Sequence, residues 1–305
     1  MTDFAAWPPL PYADWTDTKQ TLHRYAQTVG KIRMALVPFR NHWWHVTLYV
    51  GTRGLTTGPM PMPDGRSVEI RFDFVDSLLH VITSAGESGS FQLRHGLTCA
   101  SFYGQLFDAL ADLSLEVEIY PAPFDLDGPL LSEDTVHDAY DEEAVARYWT
   151  VLRRTVDVMN RFAGGFNGKQ SPAHLFWHSF DLAYARYSGR PAPARPGADR
   201  VTLEAYSHEV ISCGFWPGDD KTPAPSFYCY TAPAPEGLTA QPLEPSAAFW
   251  NEQAGTAYLP YDEVRTSPEP EATLLGFFES AYRAGATTGN WDIEAFTASG
   301  GSEIR

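Results

Sequence analysis

The chain has 305 residues, 44% of them apolar and 14% aromatic, and a formal net charge of −16. That is enough apolar material for one large domain or two of ordinary size, and it excludes a disordered chain. The acidic balance disfavours phosphate backbones and anionic lipid, and no apolar run approaches the ~20 residues of a membrane-spanning helix. Neither nucleic acid nor a membrane is therefore an expected partner.

The opening Met1-Thr2-Asp3-Phe4 lacks the basic stretch and apolar core of a secretory leader, so the expected location is cytoplasmic. Cys99, Cys213 and Cys229 are odd in number, far apart and without a Cys-x-x-Cys pair. They read as reduced structural thiols, although Cys213 and Cys229 could be neighbours in one sheet.

In chain order, Trp7-Pro8-Pro9-Leu10-Pro11 is an extended lead-in. Thr18, Leu22, Tyr25, Ala26 and Val29 keep helical spacing, and Gly30 is placed to end that helix. Residues 31–39 and 43–50 read as strands, the second with Trp44, Val46, Leu48 and Val50 on one face. Val68 to Val75 and Leu78 to Thr83 read as an antiparallel hairpin turning at Asp76-Ser77. Phe102 to Leu113 is a helix, and Leu115 to Tyr120 returns as a strand.

Residues 121–142 are rich in proline and acid and mark the boundary between two halves, 14–120 and 143–286. Val145, Tyr148, Trp149, Leu152, Val156, Met159 and Ala163 form one apolar stripe at 3.6 residues per turn. Residues 173–187 fit a helix or a strand, and strand is the reading adopted. Glu204 to Phe215, Ser226 to Thr231 and Ala257 to Tyr261 follow as strands. A last helix starts near Ser267-Pro268, with Gly285 placed to end it and a polar, frayed tail over 287–305. The fold class is α+β: two similar halves, each a mainly antiparallel sheet flanked by helices.

Two stretches carry the chemistry. Asn41-His42-Trp43-Trp44-His45 and Ala173-His174-Leu175-Phe176-Trp177-His178 each hold a Trp-His pair, followed eight positions on by Arg53 or Arg186. This points to an internal duplication. Motifs for nucleotide binding, serine hydrolysis and zinc proteolysis all fail on spacing: Gly164 to Gln170 has no Ser/Thr after Lys169, and His208-Glu209-Val210-Ile211-Ser212 lacks a second histidine.

One divalent metal (Fe, Zn or Mn) could be held by ligands from His42, His45, His174, His178, His208 and Glu209, with Asp181 as a further candidate, one ligand from each of three segments. Strand alternation forbids His42 and His45 from sharing a metal unless the chain bends. The same groups fit metal-free acid–base work, with His45 or His208 as base and Glu209 or Asp181 orienting it. Arg53, Arg186, Lys31 and Lys169 could bind a substrate carboxylate or phosphate. Trp43, Trp177 and Trp216, with Phe227, Tyr228, Tyr230 and others, could line an apolar pocket. Against each reading stands the ordinary one, of hydrogen-bonded core histidines, strand-end arginines paired with acids and aromatic packing between sheet and helices.

Asn41-His42-Trp43-Trp44-His45 with Arg53-Gly54-Leu55-Thr56-Thr57, Ser179-Phe180-Asp181-Leu182, and Glu204-Ala205-Tyr206-Ser207-His208-Glu209 with Gly214-Phe215-Trp216-Pro217-Gly218 resemble the signature segments of a bacterial domain-of-unknown-function family. The resemblance covers roughly residues 7 to 292 and implies a full-length member with no mechanism attached. The position of His178 is often glycine in that pattern, which moves the ligand set to His42, His45, His174, His208 and Glu209. The expectation is a small-molecule enzyme with a His/Glu site between the halves, metal-dependent or not. The alternative is a non-catalytic ligand-binding or assembly protein with an aromatic pocket, and a homo-oligomer remains open.

Overall fold

Helix α1, Thr16–Leu36, is buried on all sides from Thr21 to Arg33 in the computed structural model, which describes residues 7–298. Its sequence is polar for such a place, so its side chains need internal partners. Arg24 pairs with Asp134 at 3.3 Å and donates to the Asp127 carbonyl at 2.9 Å. Gln27 donates to the Phe124 carbonyl at 2.9 Å and accepts from its N–H at 2.8 Å. His23 Nε2 donates to the Trp177 carbonyl at 3.0 Å, and Arg33 donates to the Thr57 carbonyl.

The helix runs straight through Gly30, and the expected strand over 31–39 is absent. A β-carbon at Gly30 would stand 2.1 Å from the Trp177 ring, so glycine serves close packing here and not termination. The expected strand over 43–50 shrinks to β1, Tyr49–Val50. Ahead of it Asn41–Trp43 is a 3-10 turn, with His42 and Trp43 at φ of 56° and 61°.

The first sheet is antiparallel: β1, β2 (Gly54–Thr56), β4 (Ser67–Asp73), β5 (Leu78–Thr83) and β6 (Ser88–Gln92) in that order, with β3 (Met60–Pro61) also on β4. The expected hairpin is β4–β5, paired from Asp73 opposite Leu78 to Val68 opposite Thr83. Alternation puts Val68, Ile70, Phe72, Leu79 and Val81 inward. Helix α2, Cys99–Asp112, covers them with its N-terminus capped by Thr98, and Phe102 stacks on Tyr25 at 4.0 Å. Leu115 to Tyr120 follows as an unpaired extended segment, not a strand.

Residues 121–142 do not separate two cores. Leu131 and Asp134 are fully buried in them, and one continuous hydrophobic cluster includes residues of both halves. Asp141 caps α3, Glu142–Gly164, by accepting from the N–H groups of Glu143 and Ala144.

The second antiparallel sheet runs β7 (His174–Phe176), β8 (Asp181–Pro191), β9 (His208–Trp216), β10 (Ser226–Ala232), β12 (Thr256–Pro260) and β11 (Phe249–Asn251), a meander as far as β10. Strand is thus the outcome for 173–187, broken by a turn at 177–180. Part of the strand expected from Glu204 is a short helix, α4, Arg200–Ala205. Helices α5 (Tyr261–Arg265), α6 (Pro270–Thr288) and α7 (Ile293–Phe296) complete the described chain. Gly285 lies inside α6, where a β-carbon would meet Thr231 Oγ1 at 2.1 Å. The tail is ordered as far as described, with Trp291 buried and a bridge between Thr297 and Phe166.

Each half thus runs long helix, antiparallel sheet, helix. The sheets meet where Leu48 and Leu175 exchange N–H···O bonds of 2.9 and 2.8 Å. The two Trp-His pairs do not occupy corresponding places, since Trp44-His45 precedes β1 and Trp177-His178 follows β7. Cys213 and Cys229, opposite each other on β9 and β10, are joined as a disulfide, which corrects the expectation of free thiols; Cys99 is buried and free. No helix among the described residues is long and apolar enough to cross a membrane.

Gly30 and Gly104 separate packing from propensity. Gly104→Ala, in α2 with open space around its β-carbon, should stabilise by up to about 1 kcal/mol, the intrinsic preference for alanine in a helix. Gly30→Ala should lose that gain and destabilise by roughly 1–3 kcal/mol through overpacking against Trp177. Urea unfolding of both variants checks the sign; equal stabilisation would mean that the close approach of α1 to Trp177 is absent in solution.

Candidate functional site

The second sheet has two unlike faces. Leu182, Tyr184, Ile211, Cys213, Phe215, Phe227, Cys229, Ala257 and Leu259 point into the core. The alternate residues Asp181, Ala183, Ala185, Tyr187, Ser212, Tyr228, Tyr230 and Tyr258 point the other way and floor a cleft of about 1110 Å³. Its walls come from Lys31 and Met34 of α1, Trp43, Trp44 and Val46, Phe124 and Asp125 of the connector, the 174–179 segment, α4 and Trp216. Its floor therefore comes from the second half, and its walls come from both halves and the connector.

Small residues make room at the centre of the floor. Gly214 lies opposite both Ala183 and Tyr228. A β-carbon at Gly214 would stand 2.3 Å from Tyr228 Oη, so the tyrosine ring lies flat across the glycine. That position carries its hydroxyl over to Asp181 on β8. Tyr228 Oη donates to Asp181 Oδ2, and Ser179 Oγ donates to Oδ1. Burial raises the Tyr228 phenol well above its ordinary range, and the neighbouring Asp181 adds to this. Tyr230 stacks beside Tyr228 at 6.1 Å, and its hydroxyl lies 3.2 Å from that of Tyr206. His178 borders the same floor; burial lowers its pKa, opposed by Asp181 and Asp125.

Lys31 stands at the α1 wall with its ammonium 5.5 Å from the Trp177 ring centre. Burial alone pushes its pKa below the ordinary lysine value.

The expected site residues divide. Trp43, Trp177, Asp181, Trp216, His42 and His174 line the cleft. His42 is buried and accepts at Nε2 from the Lys169 ammonium at 2.6 Å, stacks on Tyr187 at 4.4 Å, and has its ring 5.6 Å from that of His208. Its own N–H donates to Glu204 of α4 at 2.8 Å, and Trp43 Nε1 donates to the Val201 carbonyl at 3.1 Å. His174 is engaged with Thr47 Oγ1 at 3.3 Å.

His45, His208 and Glu209 are not cleft-lining. His45 accepts from the Arg40 N–H at 3.2 Å between Phe39 and Trp43, and His208 pairs with Ser207 at 3.1 Å. Glu209 accepts from Ser188 and Arg190, both at 2.8 Å, because alternation turns it from His208 towards the Gly289–Asn290 corner. Arg53 is held by Asp73 and Asp76 at the first sheet. Arg186 faces the core, 3.4 Å from the Phe162 ring centre and bonded to the Phe162 carbonyl. Neither arginine reaches the cleft. Among the described residues no three His, Cys, Asp or Glu side chains are grouped so as to hold a metal ion. The five expected ligands are separated because the Asn41–Trp43 turn and the alternation of β9 aim them differently.

Ser179, Tyr187, Tyr206 and Asp125 were not anticipated. The alternation Phe227, Tyr228, Cys229, Tyr230 was the signal for a hydroxyl-bearing face, and it lies in the sequence.

A family model described as a family of unknown function (DUF5996) matches residues 7–298. The chain belongs to this family. The match spans every described residue, so the cleft, its walls and the disulfide all lie within the family region. No activity is known for DUF5996 proteins. No curated protein and no solved structure matches the chain.

Burial holds His23 and His174 neutral, with pKa values lowered from 6.5 to about 3. The unfolded chain binds these protons first, so the stability they contribute is complete above about pH 6.5 and is lost as the pH falls towards 3. Urea midpoints of the wild type should fall between pH 7 and 4. His174→Gln and His23→Gln should each flatten the slope by up to one proton. An unchanged slope in both variants would mean that these rings are not buried neutral.

Proposed function

We propose that the cleft binds a small organic molecule and acts on it by metal-free acid–base chemistry. The observation that carries this reading is the Ser179–Asp181–Tyr228 network on the floor of a cleft that many aromatic side chains also line. Convergent polar groups in a concave site are the usual signature of a small-molecule site.

In this reading Asp181 is the base and Tyr228 the relay. A ligand O–H or acidic N–H donates to Tyr228 Oη while the tyrosine's own proton moves to Asp181. The raised phenol pKa keeps Tyr228 protonated, so its hydroxyl enters the network as a donor to Asp181 and the two protons move together. Ser179 holds the second carboxylate oxygen and so fixes the plane of the group. Asp181 then returns its proton through Tyr228 to the product, which restores the network.

One observation favours plain binding instead. Both oxygens of Asp181 already accept from protein hydroxyls, which equally describes a rigid floor that orients a ligand and does nothing to it.

The test is a thermal-shift screen of a small-molecule library on wild type and on Ala183→Trp, whose indole would fill the cleft floor. Genuine cleft ligands should stabilise the first and not the second. Hits are then incubated with wild type and Asp181→Asn and followed by mass spectrometry. Turnover should drop by about 10²–10⁴ in Asp181→Asn, the usual share of a general base, with binding retained. Ligands that bind both screened proteins equally would remove the cleft reading. Ligands bound in the cleft but never converted would leave the plain-binding one.

A further inference from the structure

Helix α1 buries six strongly polar or charged side chains between His23 and Arg33. His23, Arg24, Gln27 and Arg33 each meet a carbonyl or carboxylate of the chain, and Thr28 back-bonds to the Arg24 carbonyl at 3.2 Å. Lys31 is the exception. It is 7% exposed and lines the cleft, and among the described residues its ammonium has neither hydrogen bond nor ion pair. Its one close partner is the face of Trp177. A cation–π contact returns only part of the hydration that a lysine loses on burial.

We propose that Lys31 is the anchor for an anionic group on the cleft's ligand, so that the ligand is an organic anion with an apolar or aromatic body. The proposal rests on the cleft being a binding site. Trp177, Phe124, Phe176 and Met34 border the same end of the cleft and supply an apolar bed beside the ammonium. Asp125 and Asp181 also line it, but among the described residues neither forms an ion pair with Lys31, and burial is what lowers its pKa. Asp181 is further occupied by Ser179 and Tyr228. An incoming anion thus meets a partly desolvated charge with no protein partner, where a charge-assisted hydrogen bond is stronger than in bulk water.

Two fluorescent probes that share one ring system test this: 1-anilinonaphthalene-8-sulfonate and its uncharged parent N-phenyl-1-naphthylamine. Each is titrated into wild type, Lys31→Met, Lys31→Arg and Ala183→Trp, with circular dichroism and melting temperature recorded for all. Both probes should bind wild type and be lost in Ala183→Trp. Lys31→Met should weaken the sulfonate by at least about tenfold, the value of one hydrogen bond to a charged group, and leave the parent unchanged. Lys31→Arg should retain most of the sulfonate affinity. Lys31→Met should also melt no lower than wild type, because it replaces an unpaired buried charge with a side chain of similar shape.

Equal effects of Lys31→Met on both probes, or none on the sulfonate, would overturn the anion site while leaving the cleft reading intact. Binding of both probes unaffected by Ala183→Trp, or no binding to wild type, would remove the cleft reading and the anion site with it.

Discussion

The structure depends on placing a polar helix where water cannot follow. Residues Thr21 to Arg33 of α1 are buried without a break, and almost every polar side chain among them must find its partner within the chain. That requirement fixes what surrounds the helix. Gln27 holds the backbone of Phe124 in both directions, so the connector must fold back over α1. His23 holds the Trp177 carbonyl and with it the turn between β7 and β8. Arg24 and Asp134 tie the acidic segment down, and Asp134 in turn accepts from the N–H groups of Val136 and His137. The residues that close one side of the cleft are therefore positioned from behind, by hydrogen bonds to α1, and not by the strands that carry them.

The floor follows from strand alternation and one small residue. Phe227 and Cys229 go to the core, so Tyr228 and Tyr230 must face away from it. Tyr228 could not reach Asp181 across β9 if Gly214 carried a side chain, since the ring occupies that space. Gly214, Ala183 and Ala185 thus set the depth of the cleft and also permit the hydrogen bond that gives its floor a titratable centre. The bridge between Leu48 and Leu175 brings β1 to the edge of this sheet, which sets the Trp43-Trp44 segment against the cleft wall.

The sequence was most readable where local pattern and packing agree. The stripe of α3, the β4–β5 hairpin and the strands β10 and β12 follow from periodicity because each has one buried face. It was misleading where a residue had two explanations. Gly30 and Gly285 look like helix ends, yet each lies inside its helix, Gly285 in the last turn, at a close approach to Trp177 and to Thr231 respectively. No local rule separates those uses, because the deciding atom lies far away in the chain. The run from Trp43 to Val50 alternates like a strand, but left-handed geometry at His42 and Trp43 turns most of it into a wall. Arg53 and Arg186 took the ordinary role of strand arginines: one pairs with acids, and the other is packed among Phe162, Phe166 and Tyr282.

The histidines drew attention because imidazole is chemically versatile, and in the fold three of them are held by named partners. His174 is locked to Thr47, His45 to the Arg40 backbone, and His42 to Lys169, each through a ring nitrogen. The His42 case also fixes a tautomer. An ammonium can only donate, so Nε2 must be the acceptor and the ring is neutral with its proton on Nδ1. Burial and the Lys169 charge both hold it in that form. A histidine so constrained steadies the Asn41–Trp43 turn and, through its backbone N–H to Glu204, the short helix α4 over the cleft. Chemistry is better sought among groups whose needs the fold leaves open, and on α1 that group is Lys31. The rest of the chain supplies partners for His23, Arg24, Gln27 and Arg33 of this helix, yet leaves the Lys31 ammonium facing the cleft with only the Trp177 ring beside it.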